Sequence, residues 1–126
     1  MIVDSYKKGW ALRYLREARA DLLTAEKSPV PIMAVSIAVL AMTKAQAAVY
    51  YVLGDPIYLG PMIQFIAEEG GPPCDSLLNL LIKIERIVRV RNDRPESLTK
   101  AEALREASRI IEVATDIVEL VTGKKL

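Results

Sequence analysis

The chain has 126 residues, 52% of them hydrophobic and 26% charged, with a formal net charge of +1. That composition describes one globular domain, and the near-neutral balance excludes a global pull toward nucleic acid or anionic lipid while leaving a local basic patch open. There is no histidine and a single cysteine, Cys74, which excludes Ser/His and Cys/His catalytic pairs, histidine metal ligands and an intrachain disulfide, and fits a reducing cytoplasm.

The opening MIVDSYKKGW lacks the apolar run that follows the charges of a signal peptide. A first helix is expected from Asp4 or Ser5, either of which can cap it, to about Glu26. Ala11, Leu15, Ala18, Leu22 and Ala25 fall on its apolar face, with Trp10 and Tyr14 beside them. Trp10 reads as a core or rim aromatic ahead of a base-stacking platform. Ser28-Pro29-Val30-Pro31 is a rigid turn, and Pro31 suits an early position of the next helix.

Pro31 to Leu53 is the stretch around which the rest is organised. It is apolar almost all round, with Lys44 as its only charge, so it belongs in a core or a membrane. Ala34, Ala38, Ala41, Ala45 and Ala48 form one line along which another helix can approach closely. Ser36, Thr43 and Tyr50 lie on a different side, with Gln46 nearby. Lys44 and Gln46 sit well inside the run and charged helices flank it, so a bundle core is favoured over a membrane span.

Gly54 suits a left-handed position closing this helix. A short helix follows from about Tyr58 to Glu69, interrupted or delayed by Gly60-Pro61, with Met62, Phe65 and Ile66 for burial. Gly70-Gly71-Pro72-Pro73 is a break and the expected mobile loop. Asp75 or Ser76 caps the next helix, which reaches Arg91 or Asn92 and presents Leu77, Leu80, Leu81, Ile84, Ile87 and Val88. Pro95 ends it. Thr99 with Glu102 forms a capping box for a final helix that buries Leu104, Ala107, Ile111, Ala114, Val118 and Val121 and stops at Gly123.

The expected architecture is therefore all-α, an antiparallel four- to five-helix bundle spanning residues 1–126 as one domain. Its core should include Trp10, Leu22, Val39, Leu53 and Leu81 alongside residues already named. Short links make the first two helices, and likewise the last two, antiparallel neighbours. The apolar surplus favours a two-fold homodimer, with the alanine line or the face of Ile87 and Arg91 as seam.

Chemistry is sparse. No zinc, calcium or Walker-type spacing is present, Glu68, Glu69 and Asp75 read as solvated or capping acids, and no metal or cofactor is expected. Lys83 and Arg86, with Asn79, share a polar face able to touch phosphate. Arg91 falls instead among Leu77, Ile84 and Val88. It either closes the end of the bundle or faces an anion in a cleft, with Asn92 capping or joining it.

The pattern W-x3-Y-x3-A-x2-D-L-L-x-A from Trp10 to Ala25 resembles the opening of the HEPN superfamily. So does the alanine-rich VLAMTKAQAAVYYVLGDP from Val39, and RVRND followed by SLTKAEALREASRIIEVATDIVEL resembles its last two helices. That resemblance implies a small all-helical domain of the kind found with nucleotidyltransferases and in prokaryotic defence systems. It also implies a dimer, and a nucleotidyltransferase-type protein as partner. In catalytic members an arginine, often followed by a polar residue, precedes a histidine, and two such motifs meet to cut RNA. Arg91 and Asn92 match the first half, but Pro95 and Glu96 occupy the region of the histidine. The resemblance thus implies a non-catalytic member that binds a partner, or weakly binds RNA or a nucleotide. A plain helical interaction protein is the alternative. A ribonuclease using Glu96 in place of histidine is a third reading.

Overall fold

The computed structural model describes residues 4–69 and 75–125, and among them the chain is all helical with no strand. In chain order the elements are α1 (Ser5–Lys27), α2 (Pro31–Leu53), α3 (Pro56–Glu69), α4 (Ser76–Asp93), a single 3₁₀ turn (Pro95–Ser97) and α5 (Lys100–Thr122). The Gly70–Pro73 break and Cys74 lie outside the described residues.

Local chemistry sets most of these boundaries. Asp4 caps α1, its carboxylate accepting the Tyr6 N–H at 2.7 Å. Asp75 does the same for α4 through Leu78. At α5 the capping box is complete: the Glu102 N–H donates to the Thr99 hydroxyl, and the Thr99 N–H donates to the Glu102 carboxylate. The backbone bond from Thr99 is the main reason the Glu102 carboxyl is held below the usual range. Gly123 ends α5 with a φ of 69°, the left-handed region that favours glycine.

α2 is the central helix. α1 and α5 pack on it and on each other, while α3 and α4 pair and lean on it from elsewhere. Its five line alanines are completely buried, and α1 meets the bundle with Ala11, Ala18 and Ala25 equally buried. Methyl-sized side chains on both helices permit the close α1–α2 crossing. That burial removes the alanine line as an intersubunit seam, because the chain's own helices already cover it. α2 is long and apolar enough to cross a bilayer, yet 56% of its most apolar window is buried in the bundle. Its one charge is also matched inside the chain. Lys44 lies 2.8 Å from Asp21 and 3.3 Å from Glu17, both on α1. The bond to Asp21, followed by that to Glu17, holds the ammonium pKa above its ordinary value against the opposing effect of burial.

Several expectations are corrected. Gly54 is extended, with φ 176°, and closes α2 by donating its N–H to the Tyr50 carbonyl, so no left-handed turn is used. α3 begins two residues before Tyr58, with Asp55 accepting the Ile57 N–H and Pro56 opening the helix. It runs straight through Pro61. One backbone bond, to the Ile57 carbonyl, is lost there, and Gly60 has no Cβ to clash with the proline ring. Met62 and Phe65 face outward and Ile63 is the buried residue. Leu77 is likewise exposed, and Trp10, Leu22, Leu53 and Leu104 are half-buried. Finally, α4 and α5 do not pack along one another despite their short link. The turn at Pro95 redirects the chain so that α5 lies against α2 and α1.

Candidate functional site

The basic segment of α4 divides between two neighbours. Arg86 donates to the Ala67 carbonyl at 3.0 Å, and Arg89 lies 3.3 Å from Glu68, so both hold the C-terminal end of α3. A cation there also meets the negative end of that helix. Lys83 and Asn79 are exposed on the outer side of α4. Arg91 points the other way. Its Nε and Nη2 donate to the two carboxylate oxygens of Glu106 on α5, at 2.7 and 3.2 Å, across the gap between helices that do not otherwise pack. This two-pronged bond is the main reason the Arg91 guanidinium is held above its already high pKa. Asn92 donates to the Val88 carbonyl and to the Thr43 hydroxyl on α2.

The structure therefore brings Arg91 together with side chains of α5. Arg91, Arg105 and Arg109 line one polar pocket of about 250 Å³ with Glu102 and Glu106. Lys83, Arg86 and Glu96 are not part of it. Glu96 is exposed on the 3₁₀ turn and lines a different cavity, with Leu98 common to both. The helical wheel revealed that Arg91 leaves the polar face. Nothing in the sequence pointed to Glu106, fifteen residues on in a helix of unknown packing.

The second cavity is the larger. It is an apolar groove of about 640 Å³ between the start of α2, with Pro31, Ile32, Val35 and Ser36, and the segment from Pro95 to Ala101. The Lys100 ammonium beside it is occupied, donating to the carbonyls of Glu26 and Ser28 at the end of α1. Glu96 is the other charged side chain lining the groove.

The groove opens onto an uncovered side of α2. Ile32, Met33, Ser36 and Leu40 are exposed, and Thr43 and Ala47 half-buried, at the three- and four-residue spacing of one helix face. This face is opposite the alanine line. Lys44 on one edge reaches α1, and Thr43 on the other receives Asn92 from α4. α1 and α4 do not meet across it. The result is a strip roughly 20 Å long at 1.5 Å per residue, with no charged residue from Pro31 to Thr43. Leu40 at its centre is 48% exposed.

Two other clusters are internally satisfied. The Tyr50 hydroxyl donates to Glu85 at 2.8 Å and Gln46 donates to the same carboxylate oxygen at 3.0 Å. Burial, then the hydrogen bond to Glu85, pushes the Tyr50 hydroxyl far above its ordinary pKa, so it stays a neutral donor. Trp10 stacks on Tyr51 at 6.1 Å and carries the Arg13 guanidinium 5.0 Å from its ring centre. A ring engaged in this way is a poor platform for a base. Among the described residues, no group of three or more acidic, histidine or cysteine side chains is placed to hold a metal ion. Comparison with family models, with curated proteins and with solved structures returned no match.

Proposed function

We propose that this chain is a helical interaction module that docks one apolar helix of a partner protein along the open face of α2. The observation that carries this reading is the face itself. The most apolar helix of the chain is sealed on one side by α1 and α5 and left open over Ile32, Met33 and Leu40, next to an apolar groove. A helix apolar all round normally has neighbours all round. An exposed apolar patch rimmed by polar groups, here Lys44, Asn92 and Glu96, is the usual mark of a protein-binding surface, and helix-in-groove docking suits its shape.

A second reading follows the resemblance to HEPN domains and takes the module as a weak phosphate, nucleotide or RNA binder. Its support is the pocket that gathers Arg91, Arg105 and Arg109. Against it stands Glu106, which already supplies Arg91 with a bidentate acceptor that an incoming phosphate would have to displace.

The two readings separate in one experiment. Wild type, Leu40→Glu and Arg91→Ala are used to capture partners from lysate of the native cells and are titrated with labelled single-stranded RNA. The interaction reading expects a protein retained by wild type and Arg91→Ala and lost by Leu40→Glu, with no Arg91-dependent RNA binding. Salt-sensitive RNA binding that disappears in Arg91→Ala, beside capture indifferent to Leu40→Glu, establishes the second reading instead.

A further inference from the structure

The helices divide unequally around α2. α1, α2 and α5 pack on one another, whereas α3 and α4, consecutive between α2 and α5, pair with each other and lean on α2. The seams differ in kind. Completely buried alanines from both helices line the α1–α2 crossing. Where α2 meets α3 and α4 lie Tyr50 and Gln46, the latter the one buried polar side chain among the described residues.

Tyr50 ties the α3–α4 pair to the core twice. A Cβ on Gly60 of α3 would stand 3.7 Å from its ring, and its hydroxyl donates to Glu85 of α4 at 2.8 Å. Gln46 donates to the same carboxylate oxygen, and Arg89 lies 3.6 Å from the other. Two further ties are polar as well, Asn92 to Thr43 and Arg91 to Glu106. Each end of the pair is a joint. Gly54, with no side chain, is extended between α2 and α3, and Arg94 leaves helical geometry at φ −137° and ψ 68° ahead of Pro95.

We infer that α3 and α4 form a flap, latched by Tyr50, that opens as one unit about Gly54 and Arg94 while α1, α2 and α5 stay folded. Polar groups regain hydrogen bonds from water when their seam parts, so this seam opens at less cost than an apolar one. α4 also places Leu81, Ile84 and Val88 in the core, which keeps the closed form predominant. Thr43, Gln46 and Tyr50 follow one another at spacings of three and four. Opening therefore extends the uncovered α2 face sideways from Thr43 into the area beneath α4. The flap's role in regulating that face rests on the docking reading above; the opening itself does not.

Native-state hydrogen exchange of the full chain in low denaturant reads the opening directly. The best-protected amides of α3 and α4 should share one opening equilibrium, at least about tenfold more open than that of α1, α2 and α5. Tyr50→Phe breaks the latch and should speed exchange in α3 and α4 together by roughly fivefold. Thr99→Ala weakens the cap of α5, which the open form keeps. It should speed exchange in α1 and α5 by roughly fivefold and leave α3 and α4 unchanged. In a Cys74→Ser chain, Gln46→Cys should react with a thiol reagent faster than Ala45→Cys, because Ala45 lies on the alanine line. Equal protection in all five helices overturns the inference, and so does α3 exchanging apart from α4. Unchanged exchange in Tyr50→Phe, α3 and α4 accelerating in step with α5 in Thr99→Ala, or equal labelling of the two cysteines overturns it too. None of these results bears on the docking reading, which fails on capture indifferent to Leu40→Glu.

Discussion

At the scale of single residues, the polar groups of this chain are spent on holding helices together, and that has a measurable pH signature. Arg13, and after it Lys44, hold the Glu17 carboxyl below its ordinary 4.5, and the Thr99 cap does the same for Glu102. Carboxyls depressed in the folded state contribute stability above 4.5 that is lost as pH falls through their lowered values. Lys44 is raised above 10.5 by Asp21, so its contribution is present below 10.5 and lost as pH rises through the raised value. With no histidine to titrate between them, thermal stability should be flat around neutrality and fall at both extremes; a step between pH 6 and 7 in a melting series, about the usual histidine range, contradicts this. Removing the donor of the buried network, Tyr50→Phe, leaves Glu85 short of one bond and should cost roughly 1–2 kcal/mol by denaturant unfolding. Legibility at this scale was partial. Gln46 and Tyr50 were placed correctly on one polar side, and Arg91 correctly off it. Their acceptors, Glu85 and Glu106, sit on other helices, and no spacing along the chain encodes which helix faces which.

At the scale of elements, the sequence was most informative where local chemistry decides. The caps at Asp4, Asp75 and Thr99, the start of α2 at Pro31 and the stop at Gly123 all rest on the residue type within a turn of the helix end. Thr99→Ala, which removes one half of the capping box, should lower stability by about 1 kcal/mol, read by chemical denaturation. The alanine line was also legible, because volume as well as polarity varies around the wheel. Ala41→Leu or Ala45→Leu should destabilise by roughly 1–3 kcal/mol through overpacking at the α1–α2 crossing; unchanged midpoints in both would show that the helices are not closely packed there. α3 was misread for a tertiary reason. Pro61 signalled a break, but a proline near a helix start removes a single backbone bond, and burial of Ile63 against the bundle outweighs that loss. The outward turn of Met62 and Phe65 was equally invisible, since a helix apolar all round carries no periodicity that says which side is covered.

At the scale of the whole molecule, the other four helices of the described residues pack around α2 and leave the face of Ile32, Met33 and Leu40 open. Glu96, the carboxylate that a ribonuclease reading needs as general base, lines the apolar groove, while Arg91 lines the polar pocket. The purified chain is therefore expected not to cleave RNA. Metal-independent cleavage abolished by Glu96→Gln would reverse that expectation, since a carboxylate would then supply the general base. We propose that the outer face of α2 belongs to a partner and is not sealed by the chain's own described residues. Neighbouring residues of α2 test this without knowledge of the partner. Val39 is 5% exposed and Leu40 is 48% exposed, and glutamate is as good a helix former as leucine. In denaturant unfolding of the monomer, Val39→Glu should lose about 3 kcal/mol or more by burying an unpaired charge, whereas Leu40→Glu should stay within about 0.5 kcal/mol of wild type. Equal, large losses in the two variants would mean that the bundle covers both faces of α2, and the interaction surface described here would not exist.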